Sequence, residues 1–244
     1  MTKVQGWEFW ALVPAALALV LGGCAGTSGM PRPEVVAGAD WSGLEPVHMK
    51  GVDIAHVRRG VDFGAYDKVL LEPIEVEFAP DWELLRPASR FPVSERDLEG
   101  LRKDVAEPLR DSLVRYIGRG GNYPLVEDPG PGVVRLRLRI VDVRLNAPNL
   151  EASSRSEEWA RSAGEMTLVA ELIDAETGVL LGRVIDRWID PDGPLERYTW
   201  VENDLAIGRA AEDWAEAIRR HLEVASIRNR MHGAGEGLKK ADPD

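Results

Sequence analysis

The side chains that most often carry chemistry are scarce in this sequence. Cys24 is the only cysteine, so the chain cannot close an internal disulfide. None of the four histidines (His48, His56, His221, His232) stands at metal-ligand spacing from another. The sequence contains no G-x-S-x-G, H-E-x-x-H or phosphate-loop motif. We therefore predict that the protein is not an enzyme and uses neither a metal ion nor another cofactor.

One acidic loop has a faint likeness to a calcium loop. It reads Asp190-Pro191-Asp192-Gly193, followed by Pro194. A calcium loop places its glycine sixth, whereas this glycine is fourth and a proline follows it. A turn built on proline and glycine explains these residues better than a cation site does.

Three arginines alternate along a predicted strand, at Arg135, Arg137 and Arg139. Such a stripe can bind an anionic glycan or a lipid head group. It can equally pair across the sheet with Glu75 and Glu77, or with Glu171. Because the chain is acidic overall, we favour the pairing.

Aromatic residues cluster around two loops that are rich in proline. The first cluster contains Phe78, Trp82 and Phe91, and the second contains Trp188, Tyr198 and Trp200. Aromatic side chains on loops can anchor a partner protein, or they can fold inward to close a small core. We name Phe78, Trp82, Trp188 and Trp200 as candidate partner-binding residues.

The charge of the chain limits its partners. It has 30 basic and 41 acidic side chains, which give a net charge of −11. A nucleic-acid-binding protein needs a basic surface to displace counterions from phosphate, so we predict no nucleic-acid partner. Anionic lipid should also repel the domain, so any attachment to a membrane must come from another feature.

That feature is Cys24. Residues 11–21 form an uncharged apolar run, long enough for a signal-peptide core and too short to span a bilayer. The run ends in Leu21-Gly22-Gly23-Cys24, which resembles the lipobox of bacterial lipoproteins. That resemblance implies cleavage before Cys24 and acylation of its sulfur and new amino terminus. The alternative is an ordinary secretory signal followed by a chance cysteine.

Several acyl chains would anchor the protein stably. Ala25 and Gly26 follow the cysteine, where an aspartate would favour inner-membrane retention. By analogy with enterobacterial sorting, we predict attachment to the outer membrane, facing the periplasm.

The rest of the chain divides into a tether, a domain and a tail. Residues 1–23 are the predicted signal peptide. Residues 24–61 are rich in glycine and proline with few periodic apolar positions, which predicts a flexible tether. One domain is predicted over residues 62–225, and a polar tail over residues 226–244.

The domain alternates between strand and helix patterns. Apolar residues at a spacing of two predict strands, and those at three and four predict helices. The strands are expected at 68–78, 123–127, 133–145, 165–174 and 179–189, and the amphipathic helices at 94–118 and 202–225. The order β-α-β-β-β-β-α predicts a two-layer α+β domain, with both helices on one face of a mostly antiparallel sheet.

Five short segments of the domain together carry a family resemblance. They are Tyr66-Asp67-Lys68-Val69 with Pro73, Phe78-Ala79-Pro80-Asp81-Trp82, Pro129-Gly130-Pro131-Gly132, Asp174-Ala175-Glu176-Thr177-Gly178 and Trp214-Ala215. In this order they resemble an uncharacterised bacterial lipoprotein family, domain-of-unknown-function family 3313, over about residues 62–222. The family has no assigned activity, so the resemblance implies an envelope location and no functional residue besides Cys24.

Two functions follow from these observations. The first, which we favour, is an accessory module that docks onto an envelope assembly or transport system. The alternative is a periplasmic carrier of a lipid or another amphiphile. A carrier needs a cavity of at least about 300 Å³, whereas the apolar residues of this domain are expected just to fill its core.

Overall fold

The computed structural model describes residues 31, 35–36, 39–82, 93–118, 123–147 and 158–239. This part of the chain folds into two helices and a mixed sheet. The helices are α1 (Glu95–Gly118) and α2 (Trp200–Lys239). The strands are β1 (Leu44–Pro46), β2 (Ile54–Arg58), β3 (Lys68–Leu71), β4 (Glu75–Phe78), β5 (Leu125–Val126), β6 (Val133–Leu145), β7 (Glu158–Ala160), β8 (Gly164–Asp174), β9 (Leu180–Ile189) and β10 (Glu196–Tyr198).

The main sheet has the order β1-β2-β9-β8-β6-β3-β5, and β4 also pairs with β6. Along the part of this order that runs β1-β2-β9-β8-β6, every neighbouring pair is antiparallel. β3 pairs in parallel with both β6 and β5, and β4 pairs in parallel with β6. A separate ribbon is formed by β7 and β10. The α+β class with a mostly antiparallel sheet is therefore confirmed.

The strand predicted over residues 68–78 is divided at Pro73. β3 and β4 lie one after the other along the same edge of β6. Glu72 bridges the break by donating its N–H to the carbonyl of Leu136 at 3.1 Å. Proline has no N–H to give to a ladder, so the pairing is interrupted where it stands.

Both helices pack on the same face of the sheet, as predicted. The alternating residues of β6 supply the centre of this core, and α1 and α2 supply its upper layer. Buried side chains that meet there include Leu109, Leu113, Ile117, Leu136, Leu138, Ile140, Met166, Ile207 and Trp214.

A bulge in β6 reverses the alternation near its end. Asp142 has φ 53, the only positive value for a residue other than glycine in the described part of the chain. The register of β6 against β8 shifts between Val141 and Arg144. Val143 and Leu145 consequently point into the core, and Arg144 remains on the opposite face.

The predicted tether needs correction at its C-terminal end. β1 and β2 lie within residues 24–61, and β2 pairs with β9 along the sheet. Val35, Val36 and Trp41 also pack on the face opposite the helices, against a cluster centred on Ile185. The domain therefore begins upstream of residue 62, because this segment gains its order from pairing with β9.

Both helices begin at side-chain caps. Ser94 Oγ accepts from the N–H of Asp97 at 3.1 Å and so caps α1. Thr199 caps α2, with Glu202 Oε2 accepting from the N–H of Thr199 at 2.7 Å. α2 continues to Lys239, past residue 225 where the helix was predicted to end. No helix in the described part of the chain combines the length and hydrophobicity needed to cross a bilayer.

Candidate functional site

An apolar cleft of about 660 Å³ lies between α2 and the sheet. Buried side chains of β6 and β8 form its floor, and one side of α2 forms its wall. Its apolar lining includes Leu136, Leu168, Ala170, Trp214, Ile218 and Leu222. The expectation that the core is just filled is therefore wrong.

The cleft exists because the sheet is wider than its helical cover. Two packed helices span about 20 Å, and strands are spaced about 4.8 Å apart, so the pair covers about four strands. The main sheet runs across seven strand positions. α1 contacts β4 and β5 at one side, which leaves the region towards β9 and β2 to α2 alone.

The loop between β1 and β2 closes part of the opening. Met49 and Val52 of this loop line the cleft and are half-buried. The ring of His221 on α2 lies 3.2 Å from the carbonyl oxygen of Lys50, measured from Nε2. The loop and α2 therefore meet at one end of the cleft.

Among the residues that the structure describes, Asp186 is the one carboxylate that lines the cleft. Its Oδ2 accepts from Trp214 Nε1 at 2.8 Å, and its Oδ1 accepts from the N–H of Asp53 at 3.1 Å. The pKa of Asp186 is raised to about 6, chiefly by burial and also by the nearby Asp53 carboxylate, while the two hydrogen bonds oppose the shift. The pKa is thus raised although the carboxylate is well bonded.

Asp186 should make stability depend on pH in a defined direction. A carboxyl group whose pKa is raised on folding binds more protons in the folded state, so stability falls as pH rises from about 4 to about 6. Asp186→Asn removes this titration. We expect its free energy of unfolding, relative to wild type, to rise between pH 4 and pH 7.5 in guanidinium denaturation. A difference that does not change with pH would contradict the assignment.

The arginine stripe pairs across the sheet, as favoured from the sequence. Arg137 lies 3.5 Å from Glu171, and Arg139 lies 3.5 Å from Glu77. Arg135 and Arg137 also contact Glu72, at 3.4 and 2.8 Å, a partner that the sequence pattern did not reveal. These pairs neutralise the stripe, so it is not a candidate anion site.

The first aromatic cluster belongs to the core. Trp82 is 3% exposed, and its Nε1 donates to the carbonyl of Leu145 at 2.8 Å. Phe78 is half-buried and stacks on it, with ring centroids 4.6 Å apart. Phe91 lies outside the described residues. Trp82 therefore closes the end of the core and is not an exposed anchor.

The second aromatic cluster is divided between core and surface. Trp188 is half-buried and packs against both the main core and a small cluster around Tyr198. Trp200, at the first turn of α2, is 43% exposed. Of the four candidate partner-binding residues, Trp200 alone has the exposure that docking needs.

The sequence missed further exposed apolar residues near Trp200. Trp159 on β7 is 70% exposed, Leu195 beside β10 is 56% exposed, and Leu205 on α2 is 59% exposed. No pattern in the sequence separates these residues from core residues, because β7 and β10 are only three residues long.

Asp190 has a structural role. It is buried, and its Oδ2 accepts from the N–H of Ala163 at 2.7 Å, while Arg209 contacts its Oδ1 at 2.8 Å.

Among the residues that the structure describes, no three His, Cys, Asp or Glu side chains are placed to hold a metal ion. Cys24, the predicted lipid attachment site, lies outside the described residues.

The fold is thus a two-layer α+β domain with an apolar cleft under its second helix. The chain belongs to the family described as Protein of unknown function (DUF3313), whose model matches residues 36–188. The match begins in the segment predicted as a tether, in agreement with the place of β1 and β2 in the sheet. No curated protein matches the sequence.

Solved structures give only distant likenesses. A DUF330 protein from Xanthomonas campestris is 11% identical with a TM-score of 0.41, covering 71% of this chain and 93% of that one. A putative neuraminyllactose-binding hemagglutinin homolog from Helicobacter pylori is 14% identical with a TM-score of 0.39, covering 70% and 90%. A PelC dodecamer from Paraburkholderia phytofirmans is 11% identical with a TM-score of 0.30, covering 65% and 96%. None of these scores reaches 0.5, and nothing about this chain is inferred from them.

Proposed function

We propose that this protein is a lipid-anchored envelope protein that binds an amphiphile in the cleft beneath α2. One observation carries the binding proposal: the cleft of about 660 Å³ with an apolar floor and wall. Sites that hold small molecules usually measure about 300–1,000 Å³ and are lined mainly by apolar side chains. The sequence alone favoured docking over binding of an amphiphile, because its apolar residues were expected just to fill the core. The cleft reverses that preference.

The envelope location rests on the N-terminal sequence. The apolar run at residues 11–21 and the segment Leu21-Gly22-Gly23-Cys24 support acylation of Cys24. A carrier fixed to the outer membrane, facing the periplasm, would keep its cleft next to the lipid that could supply its ligand.

Filling the cleft should abolish binding of an apolar probe. Ala217 lies on α2, lines the cleft and is half-buried, so a larger side chain there can enter the space without disturbing the core. We expect Ala217→Trp to weaken binding of N-phenyl-1-naphthylamine at least tenfold, or by about 1.4 kcal/mol. Fluorescence titration of the full-length chain held in amphipol measures this affinity.

The matched control is Val114→Trp, on α1. Val114 is 37% exposed and does not line the cleft, so this variant should bind the probe like wild type. Equal probe binding by wild type, Ala217→Trp and Val114→Trp would overturn the proposal, because the fluorescence would then come from the amphipol or from another surface.

Docking onto an envelope assembly is the second candidate. It is favoured by four exposed apolar side chains on the β7–β10 ribbon, beside it, and on the first two turns of α2: Trp159, Leu195, Trp200 and Leu205. Isolated exposed apolar residues are common, but several on neighbouring elements suggest an interface. A chain that binds no probe, yet crosslinks equally well to an identified envelope protein with and without Ala217→Trp, would favour this function.

A further inference from the structure

We infer that the ligand of the cleft carries an anionic head group, held at the mouth by Lys50 and Arg220. This inference rests on the proposed binding of an amphiphile and adds the chemical class of its polar end. The apolar lining alone does not give the charge of the ligand's polar end. That charge is inferred from the charged residues at one end of the cleft.

The mouth is built from two elements that touch. Lys50 belongs to the loop between β1 and β2, and Arg220 precedes His221 on α2. Since His221 Nε2 lies 3.2 Å from the carbonyl oxygen of Lys50, the loop that carries Lys50 contacts the side chain that follows Arg220 on α2. Both line the cleft, and both are exposed at its edge.

The loop that carries Lys50 is held in place at both ends. The N–H of Val47 donates to the carbonyl of Ala55 at 2.9 Å, which closes the hairpin. Asp53 donates its N–H to Asp186 and accepts at Oδ2 from the N–H of Arg187 at 2.9 Å. Lys50 therefore stands at a defined position beside the apolar lining.

The side chains that line the cleft carry a charge opposite in sign to that of the whole chain. The chain has a net charge of −11, yet among the described residues Asp186 is the one carboxylate in the lining, beside Lys50, Arg58, Arg183 and Arg220. Both oxygens of Asp186 accept N–H groups. His48 and His221 lie at the same mouth. An anion entering there would meet donors and positive charge.

Two other arginines that line the cleft are already engaged. Arg58 donates from Nε to the carbonyl of Leu180 at 2.7 Å, and Arg183 contacts Glu171 at 2.5 Å. Arg220, in contrast, has an exposed pair with Glu216 at 2.8 Å, one turn away on α2. Exposed pairs of this kind contribute little stability, so Arg220 can exchange Glu216 for a ligand anion.

A single anionic group attached to an apolar chain fits this arrangement. The chain would lie on Leu168 and Ala170, and the phosphate or carboxylate would contact Arg220 and Lys50. Guanidinium groups bind such anions through two parallel N–H bonds, and an ammonium group binds them as a point charge.

The test compares three dodecyl compounds below their micellar concentrations. Dodecyl phosphate, dodecanol and dodecyltrimethylammonium each displace N-phenyl-1-naphthylamine from the full-length chain in amphipol. We expect dodecyl phosphate to compete at least tenfold better than the other two. Lys50→Glu with Arg220→Glu should abolish this preference while the neutral probe still binds.

The control carries the same change of charge on α1, as Arg102→Glu with Lys103→Glu. These residues form exposed pairs with Glu99 and Glu107, at 3.5 Å each, and do not line the cleft. The control should retain the preference for dodecyl phosphate, which separates a local effect from a change in net charge.

The outcomes distinguish this inference from the proposed function. If wild type binds no probe, the proposed function fails and this inference fails with it. If the probe binds but dodecyl phosphate has no advantage, or keeps its advantage after the charge reversal at Lys50 and Arg220, this inference alone is overturned. Displacement by inorganic phosphate as effective as by dodecyl phosphate would indicate a site for the free anion and would also overturn it.

Discussion

Replacing Cys24 by serine is expected to reduce acylation and membrane retention of the chain to background. A serine hydroxyl cannot form the thioether that the lipobox resemblance implies at this position. The apolar run at residues 11–21 is too short to span a bilayer on its own, so it should not replace the lipid as an anchor. Metabolic labelling with a palmitate analogue, followed by fractionation of the membranes, measures both effects.

Ser28→Ala is the matched control for Cys24→Ser. It lies four residues downstream in the same segment and, like Cys24→Ser, changes a single side-chain heavy atom. This variant should be labelled and retained like wild type. Label that persists in Cys24→Ser would show that the lipid is attached elsewhere, and the anchor prediction would be wrong.

Trp82→Ala should lower the free energy of unfolding by about 3–5 kcal/mol, the usual cost of removing a large aromatic side chain from a core. Trp82 is 3% exposed, stacks on Phe78 and bonds to the carbonyl of Leu145. Alanine would leave a cavity at the end of the core and an unsatisfied carbonyl. Chemical denaturation of the full-length chain measures the change.

Trp200→Ala provides the contrast within the same set of candidate residues. Because Trp200 is 43% exposed, its removal should change stability by less than about 1 kcal/mol. A loss of stability for Trp200→Ala as large as that for Trp82→Ala would contradict the placing of Trp82 in the core and Trp200 on the surface. A Trp82→Ala protein as stable as wild type would contradict it too, since Trp82 would then be available for docking.

The position of the cleft links the proposal that it binds an amphiphile with the inference that the ligand has an anionic head group. Its floor and wall come from β6, β8 and α2, elements that local patterns in the sequence predicted. Its charged mouth comes partly from the loop between β1 and β2, a segment with little pattern at all. The apolar and anionic parts of the proposed ligand would therefore contact parts of the chain that differ in how far they can be predicted.

The sequence alone determined the elements whose signals are local. The thirteen residues of β6 alternate clearly, α1 repeats its apolar residues every three or four positions, and Ser94 with Asp97 marks where α1 begins. The same kind of local pattern supports the prediction that Cys24 is acylated. That prediction needs only an apolar run and the small residues that follow it. In each case the neighbouring residues along the chain carry enough information.

Only the tertiary structure decided the width of the sheet, and with it the cleft. β1 has three residues and β2 has five, too few for a periodic pattern. β2 is ordered by pairing with β9, more than a hundred residues away, and β1 by pairing with β2. Likewise, Trp82 and Trp200 both stand beside proline-rich loops in the sequence, and only packing distinguishes the buried ring from the exposed one. Burial and pairing depend on which distant segments meet, and a local pattern contains no information about that meeting.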